Sequence, residues 1–107
     1  MTINKTLNGT ALEIALEGRL DTVTAPDLES VLKESLDSAE TLVFDLSKLD
    51  YISSAGLRVL LYAHKMMGGK GGMKVTHVNE IVAEVFEVTG FSDILNIAAG
   101  LLNGAPT

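Results

Sequence analysis

The stretch Asp45-Leu46-Ser47-Lys48-Leu49-Asp50-Tyr51-Ile52-Ser53-Ser54-Ala55-Gly56-Leu57 decides how this chain is read. It opens within Thr41 to Leu46 (T-L-V-F-D-L), an apolar run interrupted only by Asp45. Such a run predicts a strand covered on both faces, hence central in its sheet. A helix is expected from about Ala55 to Met67, with Leu57, Leu60, Leu61 and His64 along one face. The stretch therefore leaves the carboxyl end of a central strand and enters a helix, the edge of an open α/β sheet that ligands and switches favour. Ser53 or Ser54 is the expected N-cap. A serine there lies beside unpaired N–H groups and the positive end of the helix dipole. A phosphate on it would collect backbone donors while placing about two negative charges on the surface. Asp21, Asp45 and Asp50 are expected nearby and would resist that charge. Capping alone accounts for one of the two serines, so residue types leave cap and switch as alternatives.

Upstream, Leu12, Ile14 and Leu16 alternate with Glu13 and Glu17, the period-two pattern of a half-buried strand. Ile3 to Leu7 is its expected hairpin partner, with Asn8-Gly9 as the turn. In T-V-T-A-P-D-L-E-S-V-L-K-E-S-L, Thr24 is a reasonable N-cap and Pro26 sits in the first turn. Leu28, Val31, Leu32 and Leu36 give that helix its apolar stripe. Downstream, Gly68-Gly69-Lys70-Gly71-Gly72 ends the second helix as a flexible connection, and Met73 to Val78 reads as a strand. Asn79 then caps a helix with Ile81, Val82, Val85 and Phe86 on its stripe, closed by Gly90. Phe91 to Ile97 is expected to add a short edge strand or turn, and residues 98–107 to form a frayed tail. The order β-β-α-β-α-β-α predicts a single α/β domain over residues 1–97. Its sheet is mixed and largely parallel, of about four to five strands with helices packed on it.

Composition narrows the function. A chain of 107 residues has room for one domain, and 47% hydrophobic residues supply its core. The absence of cysteine excludes disulfides and thiolate metal sites. The first residues, MTINKTLNGT, lack the apolar run of a signal peptide, and Leu57 to Met67 is too short and too charged to span a bilayer. Cytoplasm is the expected compartment. A net charge of −6 argues against nucleic acid and anionic lipid, and favours a partner with a basic face.

Two catalytic readings fail on their own terms. Ile52-x-Ser54-x-Gly56 half-matches the nucleophile elbow of hydrolases but lacks the first glycine, with only His64 and His77 as candidate bases. Gly68 to Gly72 follows a helix and lacks the Lys-Ser/Thr pair of a phosphate loop. The carboxylates show no metal-ligand spacing. Neither an enzyme, nor a cofactor, nor a metal is expected.

The run D-L-S-K-L-D-Y-I-S-S-A-G-L-R-V-L-L, Asp45 to Leu61, resembles the signature of the STAS domain found in bacterial anti-sigma factor antagonists. G-R-L-D-T-V-T-A-P-D-L upstream and V-F-E-V-T-G-F-S-D-I-L-N-I downstream resemble two further blocks of that family, in register over residues 3–97. The resemblance implies a partner-switching cycle. The unmodified antagonist binds an anti-sigma factor that is also a serine kinase, and a sigma factor is released. The kinase phosphorylates a serine at the start of the second helix, and a PP2C-type phosphatase reverses this. Matched residue by residue, the acceptor falls on Ser54, and Asp21 falls on the aspartate that positions its hydroxyl. Ser53 stands where the family often has Asp, and Ala55 where it often has Ser or Thr. Ser53 is therefore a competing acceptor. The same departures admit an alternative, a non-phosphorylated STAS scaffold or regulatory subunit of a transporter or signalling complex. The implied docking surface comprises Asp21, Thr22, Ser53, Ser54, Gly56 and Arg58, with Gly56 expected to admit a partner's backbone.

Overall fold

Strands β1 (Thr2–Asn8) and β2 (Ala11–Leu20) form the opening antiparallel hairpin. Asn8 pairs with Ala11, so the turn residues are Gly9 and Thr10, one position later than expected. Gly9 at φ +63° takes the first turn position, where a II′ turn needs positive φ. Strand β2 then runs parallel to β3 (Thr41–Ile52), and β3 parallel to β4 (Met73–Thr76), in the order β1-β2-β3-β4. Between them come α1 (Ala25–Ser35), extended by a 3-10 turn at Leu36–Ser38, then α2 (Ser54–Met67), with α3 (Glu80–Thr89) last. The structure, a computed structural model, describes residues 1–90. These form one α/β domain with a four-stranded, mostly parallel sheet and three helices, the expected class. The expected element at Phe91 to Ile97 and the tail 98–107 lie outside the described residues.

Strand β3 is central, between β2 and β4, but it differs from expectation in two ways. It continues past Leu46 to Ile52, and only one of its faces is covered. Leu42, Phe44 and Leu46 are buried, whereas Thr41, Val43 and Asp45 point the other way and keep solvent contact. Val43 made the run look continuous although it sits on the open face. Strand β2 alternates in the same sense, with Leu12, Ile14 and Leu16 inside. Among the described residues the helices therefore cover one face of the sheet and leave the other open. Register shifts at Ala15/Glu17 and Gly18/Arg19, the second beside Gly18 at φ +98°, break the alternation near the end of the pair. Leu20, Leu49 and Ile52 stay in the core despite them.

The helices bury faces rotated from those their apolar periodicity implied. On α2 the buried residues are Gly56, Leu57, Val59, Leu60, Ala63 and Met67, while Leu61 and His64 are only half-buried. On α3 they are Val82, Ala83 and Phe86, with Val85 half-buried and Ile81 exposed. The cap of α3 matches expectation. Asn79 Oδ1 accepts from the Val82 amide at 2.8 Å, and Gly90 at φ +82° ends the helix. Asn79 Nδ2 also donates to the Leu49 carbonyl and so ties α3 to β3. Strand β4 stops short of the expected Val78, because His77 turns to φ +57°. The glycine-rich connection is anchored too: Lys70 Nζ donates to the Leu36 and Ala39 carbonyls, and the Gly71 amide to Glu40 O at 2.7 Å.

Candidate functional site

Because β2 and β3 are parallel and Leu20 pairs with Ile52, their carboxyl ends finish level with each other. The β2–α1 turn and the β3–α2 junction thus emerge side by side. The Ser53 amide donates to Leu20 O at 2.9 Å and closes the junction against the turn.

The two serines take different jobs. Ser53 has extended backbone (φ −101°, ψ 176°), and its hydroxyl accepts from the Gly56 amide at 3.4 Å, so it is the N-cap of α2. Its carbonyl accepts from the Leu57 amide at 2.9 Å. Ser54 is the first helical residue, exposed, and its hydroxyl makes no hydrogen bond among the described residues. Sequence had left the cap open between the two.

Gly56 is buried, and a Cβ there would lie 2.6 Å from Leu20 Cγ and 2.9 Å from Ile52 Cγ1. The close approach it allows is that of α2 to the chain's own sheet, not to a partner's backbone. Lack of a side chain lets the helix begin directly on top of the strand ends.

Asp21 holds the neighbouring turn. Its Oδ1 accepts from the Val23 amide at 3.0 Å and the Thr24 amide at 3.1 Å, with the Thr24 hydroxyl at 3.2 Å. Its Oδ2 lies 3.7 Å from Arg19 Nε. In return Thr24 Oγ1 accepts from the Asp21 amide at 2.9 Å and sits 2.9 Å from Arg19 O. Thr24 therefore occupies the N-cap position of α1 but does not cap it with its side chain; its hydroxyl is drawn back into the turn. The Thr24 amide, helped by the Val23 amide, the Thr24 hydroxyl and Arg19, holds the Asp21 carboxyl below the usual carboxylate range against partial desolvation. None of these hydrogen bonds reaches Ser54.

Around this frame Thr22, Val23, Ser54 and Arg58 are exposed, as are Arg19 and Pro26. Val23 was not singled out from the sequence, yet it is 82% exposed at the tip of the turn. Its signal was its place as the lone apolar residue in D-T-V-T. A groove of about 260 Å³ runs between α1 and α2 from Thr22, walled by Pro26, Glu29, Arg58 and Tyr62. On the other side Arg19 lies over the Tyr51 ring, 4.3 Å from its centroid. Asp50 is exposed on the last part of β3. Asp45 is elsewhere, roughly 20 Å back along the strand, where it accepts from the Ser47 amide and lies 3.6 Å from His77 Nδ1.

A hydrolytic site is not assembled at Ser54. His64 is on the same helix about 15 Å further along, and His77 stands by Asp45. Among the described residues no cluster of three or more His, Asp or Glu could hold a metal ion. Among them, too, no helix is long and apolar enough to cross a membrane.

The four-stranded sheet with α2 seated at the ends of β2 and β3 places the chain in a class, and comparison with known proteins agrees. The chain belongs to the STAS domain family, whose model matches residues 2–101. It is 41% identical over 85 residues to BtrV of Bordetella bronchiseptica, a relative named as an anti-sigma factor antagonist, covering 78% of this chain and 73% of that one. It is 29% identical over 93 residues to the anti-sigma-B factor antagonist of Bacillus subtilis, covering 86% and 85% respectively. The crystal structure of an anti-sigma factor antagonist from Mycobacterium paratuberculosis superposes with a TM-score of 0.81 at 26% identity, covering 90% of this chain and 83% of that one.

Proposed function

We propose that this chain is an anti-sigma factor antagonist that binds an anti-sigma factor with serine kinase activity and so frees a sigma factor. Phosphorylation of Ser54 ends the binding, and a PP2C-type phosphatase restores it. The observation that carries the reading is the position of Ser54: first residue of α2, exposed, its hydroxyl unengaged among the described residues, beside the Asp21 turn. In the kinase complex Ser54 Oγ forms a bond to the γ-phosphorus of ATP as the bond to the leaving ADP oxygen breaks. The hydroxyl proton passes to a base on the kinase. In the reverse arm water attacks phosphorus, inorganic phosphate departs, and the serine oxygen regains a proton. Ser53 is the poorer acceptor, because its half-buried hydroxyl is committed to the Gly56 amide. Asp21 serves docking by fixing the turn that presents Thr22 and Val23. The cycle requires ATP and a sigma factor, which places it in the cytoplasm.

The deciding experiment is to incubate the protein with its cognate anti-sigma kinase and ATP, then map phosphate by mass spectrometry while following complex formation. Phosphate on Ser54 with loss of the complex is expected. Stable binding without phosphate on either serine would instead support the non-switching scaffold, and neither binding nor phosphate would sink the switch reading.

A further inference from the structure

The solvent face of α2 is a single stripe that begins at Ser54 and continues through Arg58 to Tyr62 and Lys65, because the intervening Gly56, Leu57, Val59 and Leu60 are buried. Residues four apart on a helix are surface neighbours, with Cβ atoms about 5–6 Å apart. Helical side chains lean toward the N-terminus, so a side chain as long as that of Arg58 can reach back over the turn that holds Ser54.

The chain contains two arginines, Arg19 and Arg58, and both lie at this edge of the sheet. They are not equally available. Arg19 is engaged by Asp21 at 3.7 Å and by the Tyr51 ring at 4.3 Å. Arg58 makes no ion pair among the described residues. The carboxylate that shares its groove, Glu29, is held by Lys33 at 3.0 Å. One unclaimed guanidinium thus stands one turn from the serine whose modification is proposed above.

The geometry points to Arg58 as an intramolecular clamp for phosphate on Ser54. This rests on Ser54 being the acceptor. An anion followed four residues later by a cation is the favourable order along a helix. The guanidinium fork matches phosphate oxygens in pairs, and the phosphate sits at the positive end of α2. Phosphorylation then does two things to the docking surface. It adds negative charge at Ser54, and it withdraws Arg58, the residue type most suited to anchor a partner there. The partner loses an attraction as well as meeting a repulsion.

The test uses full-length protein with phosphoserine installed at position 54 during translation, so no kinase is needed. Its phosphate is titrated by phosphorus NMR in the wild-type background and in Arg58→Gln, Arg58→Lys and Arg19→Gln. The charged groups around the phosphate are Arg58 on α2, Arg19 at the end of β2, Asp21 on the β2–α1 turn, and Glu29 across the groove. The wild-type midpoint should fall about 0.3 pH units below that of Arg58→Gln. The Arg58 Nε–H signal should move through the same midpoint, and should still do so in Arg19→Gln. Arg58→Lys should recover the midpoint only in part, because an ammonium lacks the paired donors. Equal midpoints in wild type and Arg58→Gln, or an Arg58 signal indifferent to the phosphate, would overturn the clamp even if kinase assays place phosphate on Ser54. Failure of the kinase to label Ser54 would overturn the proposed cycle and leave the clamp to be judged by the titration.

Discussion

The Ser53 amide donates to the Leu20 carbonyl across 2.9 Å, which joins the last residue of β2 to the cap of α2. This hydrogen bond helps to hold together the two connections that form the proposed docking edge. Gly56 acts at the same point from inside, since its missing side chain lets α2 settle on Leu20 and Ile52.

Substitution Gly56→Ala is expected to cost about 2 kcal/mol, because its methyl must displace branched core side chains at Leu20 and Ile52. It should also tilt the start of α2 and weaken partner binding. Urea denaturation and a binding titration check both effects. Wild-type stability in Gly56→Ala would show that the edge has slack.

The two serines are expected to separate cleanly by mutation. Ser53→Ala should lose about 0.5–1 kcal/mol through the missing cap, while Ser54→Ala should stay within about 0.5 kcal/mol of wild type and lose kinase labelling. Ser54→Asp should remain folded, since an acidic first turn suits the helix dipole, yet bind the kinase at least about tenfold more weakly. Thermal melts and binding isotherms on the three variants decide the matter.

Asp21 makes stability depend on acid. Its carboxyl is held below the ordinary 3.8 by the Thr24 amide above all, so the folded state favours the ionised form. The stabilisation it contributes is fully present above about pH 5 and is lost as pH falls through its depressed folded value. Asp21→Asn should therefore be less stable than wild type near neutrality, with the gap closing in acid. Paired denaturant titrations at several pH values measure this, and a gap independent of pH would contradict it.

Asn79 serves two elements at once, capping α3 and donating to Leu49 O. Asn79→Ala should cost about 2 kcal/mol, from the lost cap and the orphaned strand carbonyl together. Asn79→Asp keeps the acceptor for Val82 but brings a carboxylate against that carbonyl, so it should not restore stability. Hydrogen exchange in α3 should quicken in both.

Much of this was legible in the sequence. The alternation at Leu12, Ile14 and Leu16, the helical stripes and the glycine stops were enough for element order and class. The strand-to-helix setting pointed to Ser53 and Ser54, and the family resemblance singled out Ser54 as the acceptor candidate. What periodicity could not reveal was which faces stay dry. Val43 is apolar on the open side of the sheet, Ile81 is exposed and Leu61 is only half-buried. Nor could it show that one Asp21 oxygen is held by its own turn, where Oδ1 accepts from the amides of Val23 and Thr24. Gly56 was legible as a close approach, but the partner in that approach is a leucine thirty-six positions earlier in the chain.

The division between Gly56, buried on the inner face of α2, and the exposed Val23, Ser54 and Arg58 separates two kinds of constraint in this chain. The interior residues answer to folding and leave little choice. The exterior trio owes almost nothing to the core, so new combinations there can be tried without risking collapse. A cell that keeps several proteins of this fold could insulate their circuits from crosstalk by recolouring a few side chains on one unchanged platform.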